Sequence, residues 1–154
     1  MKKLRHAVVG VLLVAGLEGC TVMNEAPAII SEYFALEHFS SKQEVLSKVK
    51  QALLLDGFQI RSADLEAGYI STSPKNWKLT PEQANCGANK GIDFLEDNYT
   101  KIEVAFNVVV DDKAVIVRSN IQGEYLPEEP AQDLTLNCVS RGVIEVEMVK
   151  KILM

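Results

Sequence analysis

Apolar residues recur at two different periods along this chain, and the switches between them outline seven elements. Tyr33 to Phe39 alternates, with Phe34, Leu36 and His38 on one side, and predicts a first strand. Ser41-Lys42-Gln43-Glu44 has the spacing of a capping box, in which Ser and Glu satisfy each other's free backbone N–H groups. Behind it Val45, Leu46, Val49, Ala52 and Leu53 recur at helical spacing, and Gly57 suits a left-handed helix end. Phe58–Ser62 and Tyr69–Ser73 alternate as short strands around a turn at 63–68. Tyr99 to Val110 places Ile102, Val104, Phe106, Val108 and Val110 on one face, and Ala114 to Tyr125 returns as its antiparallel partner. From Asn137, as N-cap, a second helix is expected to about Leu153, with Val139, Val143, Val146 and Leu153 as its stripe and Gly142 weakening it.

The order β-α-β-β-β-β-α predicts an α+β fold. It is satisfied by an antiparallel sheet of about five strands with two helices on one face, since each helix has one apolar stripe to bury. Pro74 to Asn98 reads as an irregular loop, and a loop of that length is usually functional or pinned.

The N-terminus follows a different pattern. Met1-Lys2-Lys3-Leu4-Arg5 is basic, and Ala7 to Leu17 is an uncharged apolar run of eleven residues. Crossing a ~30 Å hydrocarbon core takes roughly 20 residues, so this run suits a signal core and not a membrane span. It ends in Leu17-Glu18-Gly19-Cys20, which resembles a bacterial lipoprotein signal. Glu18 stands where such signals usually carry Ser, Ala or Thr. The reading predicts a signal peptide over 1–19, a lipid anchor and tether over 20–31, and one globular periplasmic domain over 32–154. Cys20 would be diacylated and become the first mature residue, and Thr21 after it resembles the signal for transfer to the outer membrane. Simple export without lipid is the alternative.

Composition changes the picture in two ways. The chain of 154 residues is 47% hydrophobic with five prolines, which favours a globular fold with one core. Its net charge is −5, and removing Lys2, Lys3, Arg5 and Glu18 takes away a net +2 and leaves −7. An acidic domain is a poor partner for nucleic acid or anionic lipid, so the membrane would be held through acyl chains.

With Cys20 lipidated, Cys86 and Cys138 remain as an even pair in an oxidising compartment, and a disulfide between them is expected. The loop it closes, about fifty residues, corresponds to roughly 4 kcal/mol in the chain-entropy model. A zinc site would need more soft ligands than His38 supplies, and a reactive thiol would need a basic neighbour that neither cysteine has.

Catalytic sets are thin. His38 is the only histidine of the mature chain, no nucleophile elbow accompanies it, and a hydrogen-bonded structural role is its expected one. Glu96-Asp97 and Glu128-Glu129 are adjacent carboxylates on solvated loops, unlike the separated pairs of glycoside hydrolysis. No cofactor or metal is implied. Trp77, between Lys75 and Lys78, is the candidate protein-contact residue, with packing over a hydrophobic gap as its equal alternative.

Residues 42–73 resemble the helix-grip domains of BamC/NlpB-like outer-membrane lipoproteins. The matching features are the helix ending Gln51-Ala52-Leu53, the Gly57-Phe58-Gln59-Ile60 turn into a strand, and Asp64 followed by Gly68-Tyr69-Ile70. The resemblance implies the helix-grip fold and a non-enzymatic accessory role among envelope proteins. It carries over no binding residue. The expected function is therefore a lipid-anchored envelope interaction module. The alternative is an inhibitor or ligand-binding lipoprotein, for example against a cationic lysozyme, and a periplasmic hydrolase is the least favoured.

Overall fold

A computed structural model describes residues 24–25, 33–128 and 133–154. The signal peptide, Cys20 and most of the expected tether lie outside the described residues.

The architecture is α+β, with two helices and strands that pair antiparallel throughout the described residues. Strand β1 is Asn24–Glu25, β2 is Phe34–Glu37, and helix α1 covers Lys42–Leu55. Then come β3 (Ile60–Asp64), β4 (Tyr69–Thr72), β5 (Lys75–Asn76), β6 (Ala84–Asn85), β7 (Ala88–Asn89) and β8 (Ile92–Asp93). The long hairpin is β9 (Thr100–Val110) with β10 (Ala114–Tyr125), followed by β11 (Leu134–Ser140) and helix α2 (Val143–Leu153). The main sheet runs β3-β4-β9-β10-β11-β6, with β2 also on β10 and β5 also on β9.

The elements with clear periodicity form for local reasons. Ser41 is the N-cap of α1, accepting the Glu44 N–H at 3.3 Å, and the five residues expected on its apolar stripe are all buried. At its end Gly57 takes φ 78, where an L side chain is disfavoured. Its N–H donates to Leu54 O, and the Phe58 N–H donates to Leu53 O, closing a Schellman motif. On β9, Val104, Phe106, Val108 and Val110 are fully buried, as alternation requires of a sheet covered on one face. Helix α1 lies against β9 and β3, α2 against β10 and β2, and the helices touch each other, so both cover the same face. The other face carries Lys101, Glu103, Arg118, Gln122 and Glu124 into solvent.

Three expectations are corrected, in the strand count, the 74–98 segment and the second helix. The sheet has eight strands, not about five, and a separate three-stranded sheet β1-β7-β8 stands beside it. Pro74–Asn98 is not an irregular loop; it holds β5 to β8 and a short 3-10 helix at Phe94–Glu96, whose Phe94 and Leu95 are buried. These strands are two residues each, too short for an alternating pattern to register. Asn24 and Glu25, expected in the tether, pair with β7.

The largest correction concerns the second helix. Residues 134–140, which include the expected N-cap Asn137 and stripe residue Val139, form β11 along β10, with Asn137 opposite Gln122. Gly142 lies at the N-cap of α2 and not in its interior. The buried stripe is Ile144, Glu145, Met148, Val149 and Ile152, whereas Val143 is exposed.

Candidate functional site

The described residues that sequence singled out lie apart in the sheet, the cysteines at the β11–β6 edge and Trp77 beyond β5 on the other side of the β9–β10 hairpin. Cys86 and Cys138 are bonded, with Cα atoms 4.1 Å apart, immediately beside the Asn85–Val139 strand pair. The disulfide thus staples the edge strand β6 onto β11, and with it the whole 74–98 excursion.

Trp77 is set by a broken strand. Strands β4 and β5 run in sequence along β9, interrupted at Ser73-Pro74, and a proline cannot donate to a ladder. The Thr72 hydroxyl fills the gap, accepting the Phe106 N–H at 2.9 Å, and the Trp77 N–H then resumes pairing with Ile102 O at 3.0 Å. The indole is half-buried, with its centroid 5.6 Å from Phe58 and 6.1 Å from Phe106. It packs over the core as one of the two expectations had it, and keeps part of its surface exposed. Lys75, one of its flanking cations, sits 5.0 Å from the Phe58 centroid and donates to Asp56 O at the end of α1.

Trp77 lines a concavity of about 490 Å³ together with Lys78, Leu95, Asp97, Thr100 and Lys101. Thr100 Oγ1 is buried there and has no hydrogen-bond partner among the described residues. Asp97 accepts the Tyr99 N–H at 2.8 Å, which fixes the loop at the mouth. The neighbouring Tyr99 hydroxyl donates to Glu128 at 3.2 Å, and that carboxylate pushes the phenol above its ordinary pKa. A second concavity, about 320 Å³, shares Asn76 and Lys101 with the first and continues along Glu103, Gln122 and Thr135 on the uncovered sheet face.

These lining residues were missed because they are outward polar positions, which sequence alone cannot tell from an ordinary solvated face. The segment that pairs beside β9 at Lys75–Asn76 supplies the facing wall of the first concavity.

His38 is buried, and its ring nitrogens lie 3.0 Å from Ser40 O and Asp111 O, so it ties the end of β2 to the β9–β10 turn. Among the described residues no three metal-capable side chains come together, and no helix is long and apolar enough to cross a membrane. No protein-family model matches this chain, and no curated protein is similar enough to count as a relative.

Proposed function

We propose that this protein is an envelope lipoprotein, anchored through Cys20 and presenting a helix-grip-like domain to other envelope proteins in a non-enzymatic accessory role. The order of residues 1–20, basic, then apolar, then Gly19-Cys20, carries the reading. The bonded Cys86–Cys138 pair supports it, because structural disulfides belong to oxidising compartments such as the periplasm. Helices on one face of an antiparallel sheet are what a BamC/NlpB-like domain would require. Acyl chains hold the membrane; an acidic surface leaves nucleic acid aside.

A second reading, a ligand-binding or inhibitor lipoprotein, is favoured by the concavity beside Trp77. The two are separated by crosslinking in intact cells followed by fractionation. Capture of an assembly complex supports the accessory role, and capture of an extracellular enzyme supports the inhibitor. Cys20→Ser is expected to release the protein from membranes or to leave an uncleaved precursor. Unchanged membrane retention with normal processing would refute the anchor.

A further inference from the structure

We propose that β2 is a self-association edge, along which two copies of this chain pair antiparallel about a two-fold axis into one continuous sheet. The inference goes beyond the accessory reading and is independent of the lipid anchor.

The edges of the main sheet differ in how they are guarded. Strand β6, two residues long and stapled by the disulfide, covers the end of β11. Strand β3 carries Arg61 and Asp64 and breaks register between Ile60 and Ser62. Short length, charge and bulges keep an exposed edge from pairing with another chain. Strand β2 has neither a proline nor a register break against β10, and its Ala35, Leu36 and Glu37 are exposed. Tyr33 and Phe39 flank it as further exposed apolar residues, Phe39 with its whole side chain in solvent.

The direction of the main-chain groups makes this edge usable. The His38 N–H donates to Lys113 O at 2.8 Å, which extends the β2–β10 ladder past Glu37. Bonded pairs alternate along an antiparallel ladder, so Phe34, Leu36 and His38 turn their main-chain groups toward β10. The N–H and C=O groups of Ala35 and Glu37 therefore point the other way, where no described strand pairs with them. An added strand would take up those groups.

The side chains select a second copy as the occupant. Tyr33 and Phe39 are placed symmetrically about Leu36, so one register pairs every exposed apolar residue of the edge. Leu36 meets Leu36 of the second copy, and Tyr33 meets Phe39 in both directions as an aromatic cross-strand pair. The same register sets Ala35 opposite Glu37 as a bonded pair, twice by symmetry. Centring on Ala35 instead sets Tyr33 against Glu37 and leaves Phe39 unmatched. Charge favours the first register too. Glu37, the one charged residue of β2, faces an alanine and not its own copy. Arg118, 6.0 Å from the Tyr33 ring, brings the opposite sign to the sheet face on which Glu37 of the second copy arrives.

The test uses the full chain, in native membranes for crosslinking and in detergent for sedimentation. Leu36→Cys is expected to give a disulfide-linked dimer above the parent's background on mild oxidation, because this position meets its own copy. Ala35→Cys, which sits opposite Glu37, is expected to give none. Sedimentation of the parent is expected to show a concentration-dependent dimer, weakened about tenfold or more by Ala35→Pro. That proline removes only an outward N–H, so the ladder to β10 and the circular dichroism of the parent are kept. Should the proline variant fail to fold, Phe39→Lys, at a fully exposed position, carries the same expectation. Monomers at every concentration with no Leu36→Cys crosslink overturn the proposal, as does equal crosslinking through Leu36→Cys and Ala35→Cys. A dimer unaffected by a folded Ala35→Pro overturns it too, and so does crosslinking of Leu36→Cys to a different protein in place of its own copy.

Discussion

The two helices of this fold begin in opposite ways. Helix α1 is started by its own sequence: Ser41 accepts the Glu44 N–H, three residues away, on the surface. Helix α2 has Gly142 at its N-cap, with no side chain to offer, and its start is held by a buried cluster instead. Glu145 is 1% exposed, and its two oxygens accept the N–H and hydroxyl of Ser119 on β10 and, at 2.6 Å, the hydroxyl of Ser140 on β11. Ser140 Oγ in turn accepts the Gly142 N–H at 3.0 Å, which ties the N-cap residue to the same cluster. A cap made within four residues can be read from the chain. The link from Glu145 to Ser119, 26 residues away on another strand, cannot.

The contrast is most sharply broken at Glu145. Glu145→Ala strands three half-buried donors and is expected to cost about 3 kcal/mol, read as a lower urea midpoint. Glu145→Gln, which keeps the volume and one acceptor, is expected to cost less. Should Glu145→Ala prove no worse than loss of the α1 cap, the buried cluster does not hold α2 and the contrast fails.

Ser41→Ala comes next, at about 1 kcal/mol, because only one exposed capping bond is lost. Amide exchange is expected to quicken in the first turn of α1 and to stay unchanged in α2. Equal quickening in both helices would show that their starts are coupled and not separately held.

The smallest effect belongs to a third local device, the β9–β10 turn. The Asp111 carboxyl accepts the N–H groups of Lys113 and Ala114, both at 2.7 Å, and these bonds hold it below the ordinary carboxylate pKa, with His38 adding a lesser pull. A folded pKa below the unfolded one gives stability that is present above the ordinary value, about 4, and is lost as pH falls through the folded one. Between pH 6 and pH 3, Asp111→Asn is therefore expected to lose slightly less of its melting temperature than the parent. An identical loss would remove Asp111 from the acid response.

What was legible follows the same division. The stripe of α1, the alternation of β9 and β10 and the pairing of Cys86 with Cys138 were readable because periodicity or counting carried them. The α2 stripe was not, because Leu134–Ser140 holds apolar residues that a helical period can also thread. Its strand state is decided by five residue pairs with β10 and by the disulfide at Cys138. Glu145 hid for a related reason: a carboxylate in the first turn of a helix reads as a solvated favourable charge. The concavity beside Trp77 was illegible too, since nothing local shows that residues 76–79 lie beside the start of β9.

By itself, the chain determined which segments could bury one face, where α1 starts and stops, and which cysteines could pair. These depend on neighbours within a few residues, or on composition. The tertiary structure alone decided that 134–140 is strand and not helix, that a buried carboxylate holds α2, and that Trp77 packs on Phe58 and Phe106 beside a concavity. Each of those depends on contacts between residues distant in sequence, where packing and hydrogen-bond partners override local preference.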